Sequence, residues 1–321
     1  MTIETIRRHG GSATDAILDP ATEIFTLEGV DGLIGFRRND GLAVVFGDPV
    51  CHKEDREALA KAFHCKMEEE KRKVIYVAAS QSFSEWALDY LCQGMIEFGE
   101  ELYFDPFDNP KKRTGTNASL VRRKVRHAAG EGVQVEEYYG KDPLLEKQME
   151  EVAEKWVKAR KGPQIHISGT DLFTIRSGRR WFYATKESKV IGVILLSVIE
   201  SKMGWLMNHL MILPDAPHGT PEMLVTSALE TVEKEGCRYV TVGAVPYSDL
   251  GQIKGFSPFI TFLARYGFRF FKSFFNLGGR KKFWEKFHPS SEPIYLLFMD
   301  KTFNVKEIKS LLNSMHGLEK L

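Results

Sequence analysis

The period of apolar and polar positions changes repeatedly along the chain, and each change marks an element. After a short helical pattern at the N-terminus, "FTLEGVDGLIGFRRNDGLAVVFGDPV" alternates around an Asn39-Asp40-Gly41 turn, which predicts two or three antiparallel strands. "KEDREALAKAFHCKMEEEKRK" carries apolar residues at helical spacing, and "VIYVAA" is a short apolar run of the kind that forms a buried strand. "SFSEWALDYLCQGM" opens with Ser and has Glu85 early, which predicts a capped helix before the strand "EFGEELYFDP". The first segment therefore reads ββ-α-β-α-β.

Asn109-Pro110 breaks that strand and marks a boundary. Beyond it come a basic helix over 117–130, the strand "VQVEEYYG" and a long amphipathic helix, with Asp142 as N-cap and Pro143 at its first position. "RRWFYATKESKVIGVILLSVIESKMGWLMNHLMIL" predicts three strands in hairpins. "LPDAPHGTPEMLV", Leu213 to Val225, ends the third strand and starts a helix from Thr220 to Gly236. The strand "CRYVTVG", a helix at 258–266, the strand "EPIYLLF" and a short helix "NVKEIKSLLNSM" follow. The fold class is α/β (α+β), with mixed, mostly antiparallel sheets flanked by helices. The expected domains are 1–108 and 109–321, the second repeating the plan of the first on a larger scale.

Composition narrows the partners. With 43% apolar and 27% charged residues in 321, the mix is that of a soluble globular protein. The net charge of +1 excludes a general polyanion binder, so any basic patch is local. One such patch holds Lys111, Lys112, Arg113, Arg122, Arg123, Lys124, Arg126 and His127. On a helix Arg122 and Arg126 share a face, and Arg123 neighbours His127. Cys51, Cys65, Cys92 and Cys237 are widely spaced with no CxxC pair, which disfavours a zinc ribbon and fits a reduced compartment. No apolar run reaches the ~18 residues of a membrane span, and the N-terminus lacks the apolar core of a signal peptide. The expectation is a cytoplasmic protein with peripheral contact at a membrane. The 22 Phe crowd the last third, where "FRFFKSFFN" is apolar on every face, so some of these rings line a cavity or meet lipid.

The order of elements matches the acyltransferase fold called GNAT, in two tandem copies. Three motifs then carry a closer resemblance: "LPDAPHGTPEMLVTSALETVEKEGCRYVTVGAVP", the basic helix in "NASLVRRKVRHAAGEGVQV", and "NLGGRKKFWEKFHPSSEPIYLLF". Together these resemble the C-terminal catalytic domain family of bacterial phosphatidylglycerol lysyltransferase, and "GLAVVFGDPV" looks like that family's first GNAT unit. "KWVKARKGPQIHISG" is more similar to a fungal branch that esterifies the 3β-hydroxyl of ergosterol. The resemblance implies an aminoacyltransferase that takes an amino acid from aminoacyl-tRNA to a lipid hydroxyl, with no cofactor, metal or covalent intermediate. The bacterial enzymes have an acid and an arginine where this chain has Asn208 and Met211, which favours a sterol acceptor over phosphatidylglycerol. Phosphatidylglycerol transfer, acetyl-CoA-dependent acetylation and a non-catalytic lipid- or RNA-binding role stay as alternatives.

Site residues follow from the same motifs. Glu222, in the first turn of a helix that Thr220 caps, is placed to bind the aminoacyl ammonium or to accept the hydroxyl proton, although the helix dipole alone favours an acid there. Asn208, His218, Gly219, Thr220, Arg160 and Gln164 complete the expected substrate site, with His166 as a base and Lys286 stabilising an oxyanion. Arg122, Arg123, Lys124, Arg126, Arg280, Lys281 and Lys282 are the cations assigned to tRNA. Pro214 and Pro217 remove amide donors from the turn, which argues against a pyrophosphate cradle for acetyl-CoA.

Overall fold

The computed structural model describes residues 2–159, 171–274 and 278–315. Its first half contains α1 (Thr2–His9), β1 (Glu23–Phe25), β2 (Ile34–Asn39), β3 (Leu42–Phe46), α2 (Arg56–Glu69), β4 (Lys73–Ala79), α3 (Gln81–Tyr90) and β5 (Gly94–Phe104). Next come α4 (Thr116–Gly130), β6 (Gln134–Tyr138), α5 (Pro143–Ala159), β7 (Arg179–Lys186), β8 (Lys189–Ile199), β9 (Gly204–Ile212), α6 (Thr220–Lys234) and β10 (Val240–Pro246). The chain ends with β11 (Ile253–Lys254), α7 (Pro258–Phe274), α8 (Gly278–Trp284), β12 (Ser290–Phe298) and α9 (Val305–Met315).

Among the described residues all twelve strands join one sheet, in the order β1-β2-β3-β4-β12-β5-β10-β9-β8-β7-β6, with β11 on β5. Among the described residues only β3–β4 and β9–β10 are parallel. Each parallel pair is bridged by one helix, α2 or α6, so the same strand–helix–strand unit occurs in both halves. This is the mixed, mostly antiparallel α/β architecture that the periodicity predicts. Helix α6 buries Leu224, Val225, Ala228, Leu229 and Val232 against Phe182, Ile194, Leu196 and Met207 of the sheet. Each Leu or Val among them contributes roughly 1.5–3 kcal/mol on full burial. The other face is covered by α5 through Met149, Val152 and Ala153, which pack on Val193, Leu195 and Met211.

Three details depart from the sequence expectations. Helix α3 is capped by Ser80, whose hydroxyl accepts from Phe83 N, rather than by Ser82. Helix α7 runs on to Phe274, well past 266. The boundary at 108/109 does not separate the chain's packing. Strand β12 lies beyond it in sequence yet inserts between β4 and β5. Helix α9 likewise returns to the first half, where Arg37 donates to Ser314 O at 2.8 Å and Asn39 to Ser310 O at 3.2 Å. Pro293 is tolerated because β12 is paired there with β5 alone; its pairing with β4 starts at Tyr295.

Candidate functional site

Strands β9 and β10 pair at Trp205–Val240 and Leu206–Thr241 and then part. The matching pair in the first half, β3–β4, stays together over five residues of each strand, from Leu42 to Phe46. Two bulges flank the opening. Leu195 pairs with His209 and Leu196 with Met207, so Asn208 is the extra residue of β9. On β10 the register against β5 shifts between Thr241 and Gly243, where Gly243 has φ +73°. The Thr241 hydroxyl fixes that bulge, donating to Leu102 O at 2.8 Å and accepting from Gly243 N at 3.0 Å. A cleft thus opens in the second half only, and the 213–219 turn delivers α6 to it.

Gly219 is required in that turn on two counts. Its φ is +98°, and a Cβ there would lie 2.0 Å from Lys124 O on α4. The close approach presses α4 onto the start of α6. Thr220 does not cap the helix: it is the first helical residue, Gly219 holds the N-cap position, and the Thr220 hydroxyl donates back to Pro217 O at 2.7 Å. The exposed His127 contacts His218 O through Nδ1 at 3.1 Å, donating in the tautomer protonated there. His218 therefore meets α4 through its backbone.

This packing gathers three charges. Glu222 is 1% exposed, and its Oε1 accepts from Lys124 Nζ at 2.9 Å and from Lys286 Nζ, carried by the 3-10 turn Glu285–Phe287. Oε2 of the same carboxylate is buried with no hydrogen-bond partner among the described residues. Burial pushes the Glu222 pKa up, but the hydrogen bonds from Lys286 and Lys124 outweigh it and hold the group below the usual carboxylate value. Burial pulls Lys286 below the usual lysine value against the attraction of Glu222, and the second ammonium, Lys124, adds to the lowering. Lys286 also stands 4.1 Å above the Phe283 ring. The result is one buried carboxylate neutralising one of two ammonium groups, with the surplus positive charge towards solvent through Lys124. A phosphate cradle at this helix terminus would place an anion against a buried acid, so the geometry disfavours acetyl-CoA here, as the prolines do.

The basic region divides by role. Arg122 donates to Pro110 O at 2.7 Å, to Arg113 O and to Ser119 Oγ at 2.9 Å. Lys111 pairs with Glu230, Lys112 with Glu233 and Arg113 with Asp108. These groups fasten the 110–115 loop, with the two lysines tying it to α6. Arg123 and Arg126 are exposed with no ion-pair partner among the described residues, and Lys282 is exposed as well. Lys281 instead meets the buried Glu100 at 2.6 Å and lies over the Tyr247 ring. Glu100, Leu102, Lys281, Glu285, His288 and Ser291 line a cavity of about 260 Å³ beside the Lys286 turn. Glu100 was not singled out from the sequence, although an acid alternating with Leu102 and Phe104 in a strand is the signal of a buried carboxylate.

Arg160, Gln164 and His166 lie outside the described residues. Asn208 is placed by its backbone at the bulge, and Arg280 sits on α8. Met211 is fully buried on the α5 side, in a cluster separate from the one beneath α6. Its apolar nature is explained by packing and says nothing about the acceptor.

The chain is similar to known proteins over nearly its whole length. It is 21% identical over 300 residues to the phosphatidylglycerol lysyltransferase of Staphylococcus epidermidis, a match covering 91% of this chain and 35% of that protein. The chain thus spans about a third of the curated relatives it matches. The crystal structure of the C-terminal domain of a putative lysylphosphatidylglycerol synthetase from Agrobacterium fabrum superposes with a TM-score of 0.78 at 17% identity, covering 100% of this chain and 97% of the other. L-PGS from Bacillus licheniformis gives 0.77 at 16% identity, covering 99% and 96%. At such identities these likenesses establish a shared fold. The family described as phosphatidylglycerol lysyltransferase, C-terminal, matches residues 5–298, and the chain belongs to it.

Proposed function

We propose that this chain is an aminoacyltransferase that moves an amino acid from aminoacyl-tRNA to a hydroxyl of phosphatidylglycerol. The observation that carries this reading is the Lys124–Glu222–Lys286 cluster beside the cleft between β9 and β10, in a chain that belongs to this family over nearly its whole length. The acceptor replaces the sterol expected from Asn208 and Met211. The relatives above are named for phosphatidylglycerol, and Met211 is a core residue.

In this mechanism the headgroup hydroxyl attacks the ester carbonyl that links the amino acid to the terminal ribose. The carbonyl oxygen gains negative charge, the ester C–O bond breaks, and the hydroxyl proton ends on the departing ribose oxygen. Lys286, with Lys124 beside it, supplies positive charge for the oxyanion. Glu222 positions both ammonium groups, and its burial excludes water from their shared side. Arg123, Arg126 and Lys282 offer phosphate contacts to tRNA. The relatives' names point to lysine as the amino acid, and Glu100 and Glu285 on the cavity wall suit an aminoacyl ammonium. Contact with the bilayer is peripheral in this reading; no helix among the described residues is long and apolar enough to cross a membrane.

The test is transfer of labelled lysine from charged tRNA into phosphatidylglycerol by purified protein. Product that disappears on RNase treatment supports the reading. Label entering only a sterol, or no lipid across a panel of charged tRNAs, overturns it.

A further inference from the structure

Helix α7 carries an apolar face that the fold does not use. Its inner side, with Ala264 and Phe268, packs on the cluster that contains Ile96, Ile294, Phe298 and Leu311. Its outer side exposes Phe259 (74%), Phe262 (69%), Leu263 (46%) and Tyr266 (68%). At about 100° per residue these four fall within an arc of about 100° on one side of the helix. Single exposed apolar residues are ordinary, but four adjacent ones, three of them aromatic, form a patch that calls for a partner.

Charge identifies the partner. From Gly255 to Trp284 the sequence contains Arg265, Arg269, Lys272, Arg280, Lys281 and Lys282 and no acid, in a protein whose net charge is only +1. Arg265 is turned inward to Leu250 O and Gly251 O, Lys281 is held by Glu100, and Arg269, which borders the apolar arc, is exposed and paired with Asp249. Aromatic rings beside cations are the composition of a helix that lies in the headgroup region of an anionic bilayer. We propose that the outer face of α7 seats the protein on such a surface, with Phe259, Phe262, Leu263 and Tyr266 entering the headgroup–acyl boundary. This inference rests on the lipid-acceptor reading for its purpose, while its observations lie away from the charged cluster. Helix α8 and the turn that carries Lys286 follow α7 in sequence, with Lys286 20 residues beyond Tyr266.

Flotation with vesicles tests it, using the full chain without tRNA. The wild-type protein floats with vesicles of phosphatidylcholine and phosphatidylglycerol, and less with phosphatidylcholine alone. The double variant Phe259→Ser/Phe262→Ser loses roughly tenfold or more in partitioning, since two buried rings are removed from the boundary. Its thermal midpoint is unchanged, and Phe259→Leu/Phe262→Leu retains binding. Wild type that ignores anionic vesicles, a Ser variant that floats like wild type, or a dimer that the Ser variant dissolves would each overturn the proposal. Transfer to detergent-dispersed lipid without vesicle binding defeats this surface and leaves the enzyme standing. Vesicle binding without transfer does the reverse.

Discussion

Glu222 could be picked out from the sequence because an acid in the first turn after a proline-rich loop is conspicuous. Lys286 is expected at the same site from its motif, but its pairing with Glu222, and that of Lys124, could not be read, since the two lysines lie 64 and 98 residues away and meet Glu222 only through packing. The basic helix invited assignment of Lys124 to tRNA, whereas the structure turns it onto Glu222. Glu222→Gln leaves two ammonium groups facing each other in a partly buried site, so chemical denaturation is expected to show a loss of roughly 2–4 kcal/mol. Lys286→Met is expected to lower the transfer rate by roughly 10²–10³-fold with a smaller effect on tRNA binding. The lowered folded pKa of Glu222 means its stabilising contribution is complete above the ordinary carboxylate value and is lost as pH falls through the folded value. A second buried group acts in the same direction at higher pH. His64 lies against Tyr76 Oη at 3.1 Å, and burial pulls its pKa down to about 4. The unfolded chain therefore takes up that proton first, and stability falls as pH drops from the ordinary histidine value towards 4. Between pH 7 and pH 5 this one residue is expected to cost roughly 2 kcal/mol, read as the difference in slope between wild type and His64→Gln. Equal slopes would contradict the assignment.

At the scale of elements, the period of the sequence was enough to place the strands, the two strand–helix–strand units and most helices, because each needs only local alternation. The partners of β12 were not legible. Nothing within "EPIYLLF" states that it pairs with strands two hundred residues earlier, and the return of α9 is non-local in the same way. The splay between β9 and β10 and its cause, a bulge on each strand, appeared only in the register. Removal of residues beyond His288 is therefore expected to unfold the first half, because β4 and β5 lose the strand between them; limited proteolysis would cleave near Lys73 and Glu97. Gly219→Ala tests the joint between α4 and α6. With φ at +98° and the Lys124 carbonyl in the way, the variant should lose roughly 2–4 kcal/mol in thermal or denaturant unfolding. A stability change within error would mean that α4 is not pressed on the turn.

For the whole molecule, charge and apolarity are distributed rather than abundant. A net charge of +1 conceals Arg123 and Arg126, exposed and unpaired among the described residues, and the acid-free stretch that contains α7. If those two arginines contact phosphates, Arg123→Ala/Arg126→Ala lowers the slope of log affinity for tRNA against log salt by roughly 1.5, at about 0.7–0.9 per contact. An unchanged slope would place tRNA elsewhere. The central claim is transfer itself. Purified wild-type protein, tRNA charged with labelled lysine and phosphatidylglycerol vesicles are mixed, and the lipid fraction is analysed by mass. The account predicts an aminoacyl ester of phosphatidylglycerol that is lost with RNase and strongly reduced in Lys286→Met. Absence of that ester, or equal yield from Lys286→Met, would contradict it.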